Sequence, residues 1–186
     1  YRAGNKAAVA TLAQKVATNP RANASQIATA NFYIGKQAFD NNDFTNAMPA
    51  LQKVIQTSDN EQTAEASYLI AFINYKQRNL DRAQQLCLEA NQKSSAYPFW
   101  VAKSVLLLAD VFADKGDLHN AKAALEALLE NFDEAVQDKL KTRQTTSTSA
   151  RSRYESLLMD LTQAELHGYA EFDSDGFTLA KTPPGV

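Results

Sequence analysis

Residues 70–87 read IAFINYKQRNLDRAQQLC, and they hold the unit from which much of the chain is built. A large apolar residue precedes a small one (Ile70-Ala71), and Ala83 follows twelve positions after the small residue. Leu80 lies three before that alanine and Cys87 four after it. Upstream, the same grid fits Ile34-Gly35, Phe44, Ala47 and Leu51; downstream it fits Leu108-Ala109, Leu118, Ala121 and Leu125. The alanines are spaced 36 and then 38 residues apart. Self-similarity at such a period marks stacked supersecondary units, each burying its apolar face against the next.

Each unit reads as two antiparallel helices. First helices are expected at about Ala28–Asn41, Ala64–Gln77 and Pro98–Lys115, and second helices at Phe44–Thr57, Leu80–Lys93 and Leu118–Asn131. Short polar turns separate them: Asn41-Asn42-Asp43, Arg78-Asn79 and Lys115-Gly116-Asp117. Asp43 and Asp117 suit the N-cap, where a carboxylate accepts from the free backbone N–H groups of the first turn. Pro98 suits the first turn, which needs no hydrogen-bonded N–H. Pro49 falls inside a second helix and should bend it or tighten its start. No stretch alternates with the period of a strand. The fold class is therefore all-α, a superhelix of antiparallel helix pairs. A small residue on each first helix lets its partner approach, and large neighbours fill the remaining space. Enlarging Ala83 should cost about 1–3 kcal/mol, and Leu125→Ala about 2–5 kcal/mol.

With that grid in place, the units resemble tetratricopeptide repeats. The Leu-Gly element of that family appears as Ile34-Gly35, Ile70-Ala71 and Leu108-Ala109, and its A-x3-F element as Ala47–Leu51, Ala83–Cys87 and Ala121–Leu125. The aromatic three residues after the small one survives only as Phe112, with Ala38 and Asn74 elsewhere. Asn31, Ser67 and Val105 stand at the tryptophan position, and the late proline is missing. These departures, with units two to four residues longer than the family norm, imply longer turns between units and a less regular superhelix. Three repeats would occupy residues 25–132, at about 28–62, 63–97 and 98–132. Ahead of them, Ala8, Leu12 and Pro20 match the end of a preceding second helix, so residues 1–22 read as a half-repeat or as an amphipathic N-terminal cap. Residues 133–167 read as C-terminal capping helices, interrupted by Thr145-Thr146-Ser147-Thr148-Ser149; residues 168–186 read as an irregular tail.

Composition narrows the function. The net charge of −2 argues against a nucleic-acid surface, which needs a basic excess. No apolar run approaches the roughly 20 residues that span a bilayer, so direct membrane insertion is not expected. One cysteine and two histidines share no metal-ligand spacing, no phosphate-cradling glycine run or hydrolase elbow is present, and no cofactor is expected. Cys87 occupies a core-filler position, and His119 a solvated first turn. Asp173-Ser174-Asp175-Gly176 lacks the later acidic ligands of a calcium loop. The basic residues around Lys139–Arg153 are diluted by Glu134, Asp138 and Glu155 and read as a solvated face. A chain opening at Tyr1 without an initiator methionine reads as an excised or processed piece, so the lack of a leader carries no information about compartment.

The most suggestive surface lies on the first helices. Counted from Gly35, Ala71 and Ala109, offsets −3, +1 and +4 share one helix face. They give Phe32, Lys36 and Phe39; Tyr68, Phe72 and Tyr75; and Leu106, Asp110 and Ala113. The family resemblance implies that this face lines a concave groove gripping partner peptides, with Phe32, Lys36, Phe39, Tyr68, Phe72, Tyr75, Leu106 and Asp110 as the binding residues. The alternative is that a segment of the same chain fills the groove, and the apolar stripe Tyr154–Leu157–Leu158–Leu161 of residues 150–167 is the candidate. The family's carboxylate clamp would use Phe32, Lys36, Leu69, Lys103 and Leu107, of which only Lys103 keeps the required type. The expectation is a non-catalytic scaffold for a protein or peptide. Its alternatives are a self-associating structural segment, or a regulatory domain of a larger protein. The approach Tyr97-Pro98-Phe99-Trp100-Val101-Ala102-Lys103 resembles bacterial cell-envelope repeat proteins, which implies a periplasmic setting with a cytoplasmic one as the alternative.

Overall fold

The computed structural model describes residues 6–131. Expectations for Tyr1–Asn5, for the C-terminal helices at 133–167 with the stripe at 150–167, and for the tail at 168–186 lie outside the described residues. Seven helices occupy the described part: α1 Lys6–Ala17, α2 Ala24–Asp40, α3 Phe44–Thr57, α4 Glu61–Lys76, α5 Leu80–Lys93, α6 Pro98–Asp114 and α7 Leu118–Asn131. Each packs on its neighbour in sequence, and α4 also meets α2 and α6. First helices α2, α4 and α6 thus form one layer, and second helices α3, α5 and α7 pair with them.

The second helices begin and end where the grid puts them. Of the first helices, α6 begins at Pro98 as expected, but α2 and α4 do not keep their expected starts. α2 and α4 start at Ala24 and Glu61, three or four residues ahead of Ala28 and Ala64. Their starts are set by capping boxes. Asn23 accepts from the Gln26 backbone N–H at 2.9 Å while the Gln26 side chain accepts from Asn23 N–H at 3.0 Å; Asn60 and Thr63 repeat the exchange. Each box satisfies two donors that the first turn would otherwise leave unpaired.

The turns inside the three units are geometrically equivalent. Asn42, Arg78 and Gly116 all lie in the left-handed region, with φ of 59°, 63° and 78°. In each, the following residue donates its N–H to a carbonyl five positions back: Asp43 to Ala38 at 2.8 Å, Asn79 to Asn74 at 2.9 Å, Asp117 to Phe112 at 2.9 Å. This Schellman closure stops the first helix. The same following residue then caps the second: the Asp43 carboxylate accepts from Asn46 and that of Asp117 from Asn120. The Asn120 contacts hold the exposed Asp117 carboxyl below its usual range. Asn79 makes no side-chain cap bond, although its backbone follows the same path. α3 runs unbroken across Pro49, whose missing N–H leaves the Thr45 carbonyl without its helical donor.

The core follows the grid. Ala47, Ala83 and Ala121, and with them Leu51, Cys87 and Leu125, are all at 0% exposure. Gly35 is buried, and Ala71 and Ala109 are at 0%. Two departures from the family pattern are absorbed locally. Asn31, at the tryptophan position, and Asn74, at the later aromatic position, are both buried, and each donates from its amide to the carbonyl four residues back, Ile27 at 2.8 Å and Ile70 at 2.9 Å. A buried amide whose donor is satisfied within its own helix avoids most of the desolvation cost.

In α1 the alanine and the filler of the proposed register are not sealed as they are in the later units. Ala8 is exposed and Leu12 is 63% exposed, whereas the equivalent Ala47 and Leu51 are sealed. α1 instead covers α2 through buried Ala13 and half-buried Val9 and Val16.

Ser104 is a local flaw. It occupies the place that Ala30 and Ala66 hold in α2 and α4; it is 1% exposed, and its hydroxyl has no hydrogen-bond partner. Ser104→Ala should raise the unfolding free energy by about 1 kcal/mol, since a buried unsatisfied hydroxyl costs roughly 1–3 kcal/mol and the methyl loses little packing. Urea denaturation with an unchanged slope and a higher midpoint is the expected readout.

Candidate functional site

The eight residues read from sequence as one helix face fall into two groups. Phe32, Tyr68, Leu106 and Asp110 are buried. Phe39, Phe72, Tyr75 and Lys36 are half-buried. The face read from helix angles thus holds side chains at two depths. Offset −3 points between neighbouring first helices in α2, α4 and α6, so the large side chains there fill the layer rather than line its surface.

What the first helices share is a row of ring contacts. Phe39 on α2 meets Phe72 on α4 with centroids 5.7 Å apart, and Phe72 meets Tyr68 at 6.1 Å and Tyr75 at 6.3 Å. Tyr68 reaches Trp100 on α6 at 5.9 Å, and Trp100 meets Phe99 edge-on at 4.9 Å. Phe44, from the start of α3, extends the row beside Phe39 at 5.9 Å. Tilted and edge-to-face pairs at these separations are the favourable arrangements. Phe32 stands apart, its ring contact being with Tyr33.

Three lysines accompany the rings, one from each first helix. Lys36 Nζ lies 6.0 Å from the Phe32 centroid, Lys76 Nζ 5.7 Å from Phe72, and Lys103 Nζ 4.5 Å from Tyr68. Lys36 also pairs with the Glu65 carboxylate, tying α2 to α4 at a half-buried position. Of the places a carboxylate clamp would need, Phe32, Leu69 and Leu107 are buried apolar residues, and Lys36 is already paired.

Phe44, Glu65, Phe99, Trp100 and Lys103 join this surface without having been read as part of the groove face. A signal existed for two of them. Glu65 and Lys103 both sit at offset −6, one turn before the offset −3 residues, so extending the stripe by a turn finds them. Trp100 and Phe99 have no equivalent in the other units and carry no periodic signal.

Cys87 is sealed in the core, where burial, and then the Asp110 carboxylate, push its thiol up to about 12. Native protein should react only slowly with a thiol-specific disulfide reagent at pH 8 and rapidly in denaturant, because the thiolate is the attacking species. The shift also sets a sign. Above pH 9 the unfolded thiol ionises and the folded one does not, so this group's contribution to stability is complete below pH 9 and lost as pH rises towards 12. A fast native reaction would contradict this placement.

Elsewhere, an open cleft of about 370 Å³ lies between α3, α4 and α5, lined in part by Ile55, Asn60, Thr63, Ser67, Leu86 and Tyr97. Its hydroxyls are used locally: Ser67 donates to the Thr63 carbonyl, and Thr63 bonds with Ser58. Among the described residues no group of three His, Cys, Asp or Glu side chains could hold a metal ion, and no helix is long and apolar enough to cross a membrane.

Helix pairs with small residues at each crossing, closed by identical left-handed turns, define an α-helical repeat protein. Residues 103–135, which span most of α6 and α7, match the family model of the tetratricopeptide repeat. No match was found among curated proteins. The repeat class is in general a protein-interaction scaffold and typically does no catalysis.

Proposed function

We propose that the first-helix face of α2, α4 and α6 binds a peptide or protein segment, and that the domain acts as a non-catalytic scaffold. The observation that carries this reading is the unbroken ring row Phe39–Phe72–Tyr68–Trp100 across three consecutive first helices. Its outer members Phe39, Phe72 and Tyr75 are half-buried and present apolar area to a ligand, while Tyr68 and Trp100 anchor the row in the core. Lys76 flanks it and orients a partner's backbone carbonyls or carboxylates, while Lys36 stays with Glu65 and holds α2 against α4; Leu106 and Asp110 support the α6 end from within. Each anchored aromatic contributes about 1.5–3 kcal/mol, against an association cost of about 4–15 kcal/mol. Three or four anchors supply at most about 12 kcal/mol, so after the association cost binding is micromolar at its tightest.

A photo-crosslinking residue placed at Phe39 or Tyr75, and separately at Leu88, tests the location. Leu88 is 45% exposed on second helix α5. Peptides selected from a random library against the intact chain should crosslink through positions 39 and 75 and not through 88. Selected peptides that crosslink only through 88, or a library that yields no binder, would overturn the reading.

A further inference from the structure

Lys103 is enclosed by three aromatic rings drawn from two helices. Its Nζ stands 4.5 Å from the Tyr68 centroid on α4, and 5.5 Å and 5.9 Å from those of Trp100 and Phe99 on α6. The rings also hold one another, Tyr68 to Trp100 at 5.9 Å and Phe99 to Trp100 at 4.9 Å with planes 79° apart. A lysine over one ring is an ordinary surface contact, as Lys36 over Phe32 and Lys76 over Phe72 illustrate. Three rings around one nitrogen, two of them packed on the third, are different: together they turn negative potential towards a common point. Tyr68 and Trp100 are buried, so core packing fixes that point and not the lysine.

We propose that Tyr68, Phe99 and Trp100 form a binding cage for an ammonium group of a partner peptide, and that Lys103 is its resident occupant. The cage stays shut until a lysine or N-terminal ammonium from the partner replaces the Lys103 head. This rests on the groove reading above and specifies the chemistry of one anchor. The exchange conserves charge, one cation leaving as another enters. A flexible four-carbon stem lets the displaced head swing to water while its methylenes remain on the apolar surface. Methylated ammonium suits the cage best, because it gives up less hydration on leaving water.

The chain's single tryptophan, Trp100, is part of the cage and reports on it. Its fluorescence is followed during titration with tetramethylammonium chloride, against sodium chloride at matched ionic strength. Lys103→Ala, which empties the cage, should give a saturable change with a midpoint about tenfold lower than that of the wild type. Lys103→Met, which fills the space without charge, should give no saturable change. A folded Lys103→Ala variant with no saturable response, or a wild type responding at the same concentration, would overturn the proposal. Should Lys103→Ala fail to fold, the wild type decides by NMR. The Lys103 ε-methylene protons, shielded by the rings, should move towards random-coil positions with tetramethylammonium and not with sodium; unchanged shifts would overturn it. The probe is a small ion, so its failure leaves peptide binding at Phe72 and Tyr75 standing, and failure of that binding leaves the ion result standing.

Discussion

Leu51→Ala is expected to lower the unfolding free energy by about 2–5 kcal/mol, the range for truncating a sealed leucine in a core that relaxes only in part. Leu51 is at 0% exposure and stands where α3 crosses α2 over Gly35. A Cβ built on Gly35 would come within 2.7 Å of Leu51 Cγ and 3.2 Å of Leu51 N. Backbone is thus part of the obstruction, and a rotamer change alone does not remove it. Gly35→Ala on the wild type should therefore destabilise by about 1–3 kcal/mol, although alanine in a helix interior normally gains roughly 0.5–1 kcal/mol over glycine. The two sites are coupled through one small volume. In a Leu51→Ala background the clash with Cγ is gone and only the 3.2 Å approach to the residue 51 backbone N remains, so Gly35→Ala should cost clearly less than it does on the wild type. Denaturant melts of the four proteins in this cycle read the coupling directly. Additive losses would mean that the close approach of α2 and α3 does not depend on this pair.

That crossing was legible in sequence because it is made of residue types at fixed offsets. Small residues at 35, 71 and 109 and alanines at 47, 83 and 121 have no other reason to recur. The second-helix boundaries were legible too, since Asp43 and Asp117 announce a cap and the apolar grid begins beside them. The starts of α2 and α4 were not, although Pro98 marked that of α6. The apolar pattern of α2 and α4 begins a turn later than the helix itself, and the boxes Asn23–Gln26 and Asn60–Thr63 carry the signal in polar residues. Arg78 shows the converse: its backbone takes the left-handed turn that glycine takes at 116, at φ 63°, with nothing in its side chain to advertise it. It sits opposite Asp114 of the next first helix, its guanidinium 2.5 Å from that carboxylate.

The candidate site was legible only in part. Helix angle alone assigns Phe32, Tyr68, Leu106 and Asp110 to the same face as Phe39, Phe72 and Tyr75. Depth depends on how near the neighbouring first helix comes, and one strand of sequence does not encode that distance. α4 touches both α2 and α6, so residues directed along the layer are covered and those directed across it are not. Trp100 and Phe99 were missed for a related reason, since they sit beyond the repeating grid; Trp100 reaches Tyr68 only through that helix–helix approach, and Phe99 packs on Trp100.

Phe72 occupies the centre of the half-buried part of the row, touching Phe39, Tyr68 and Tyr75. Its truncation therefore has the largest expected effect on binding. Phe72→Ala removes the half of the ring still open to a ligand, worth about 0.8–1.5 kcal/mol, which corresponds to a fall in affinity of roughly 4- to 12-fold. Because the ring is only half-buried, the variant should keep its helical circular dichroism and a cooperative melt. The deciding measurement is calorimetric titration of one library-selected peptide into the wild type, Phe72→Ala and Leu88→Ala. A loss of that size for Phe72→Ala, with Leu88→Ala unchanged, is the predicted result; a folded Phe72→Ala protein that binds with wild-type affinity would contradict it.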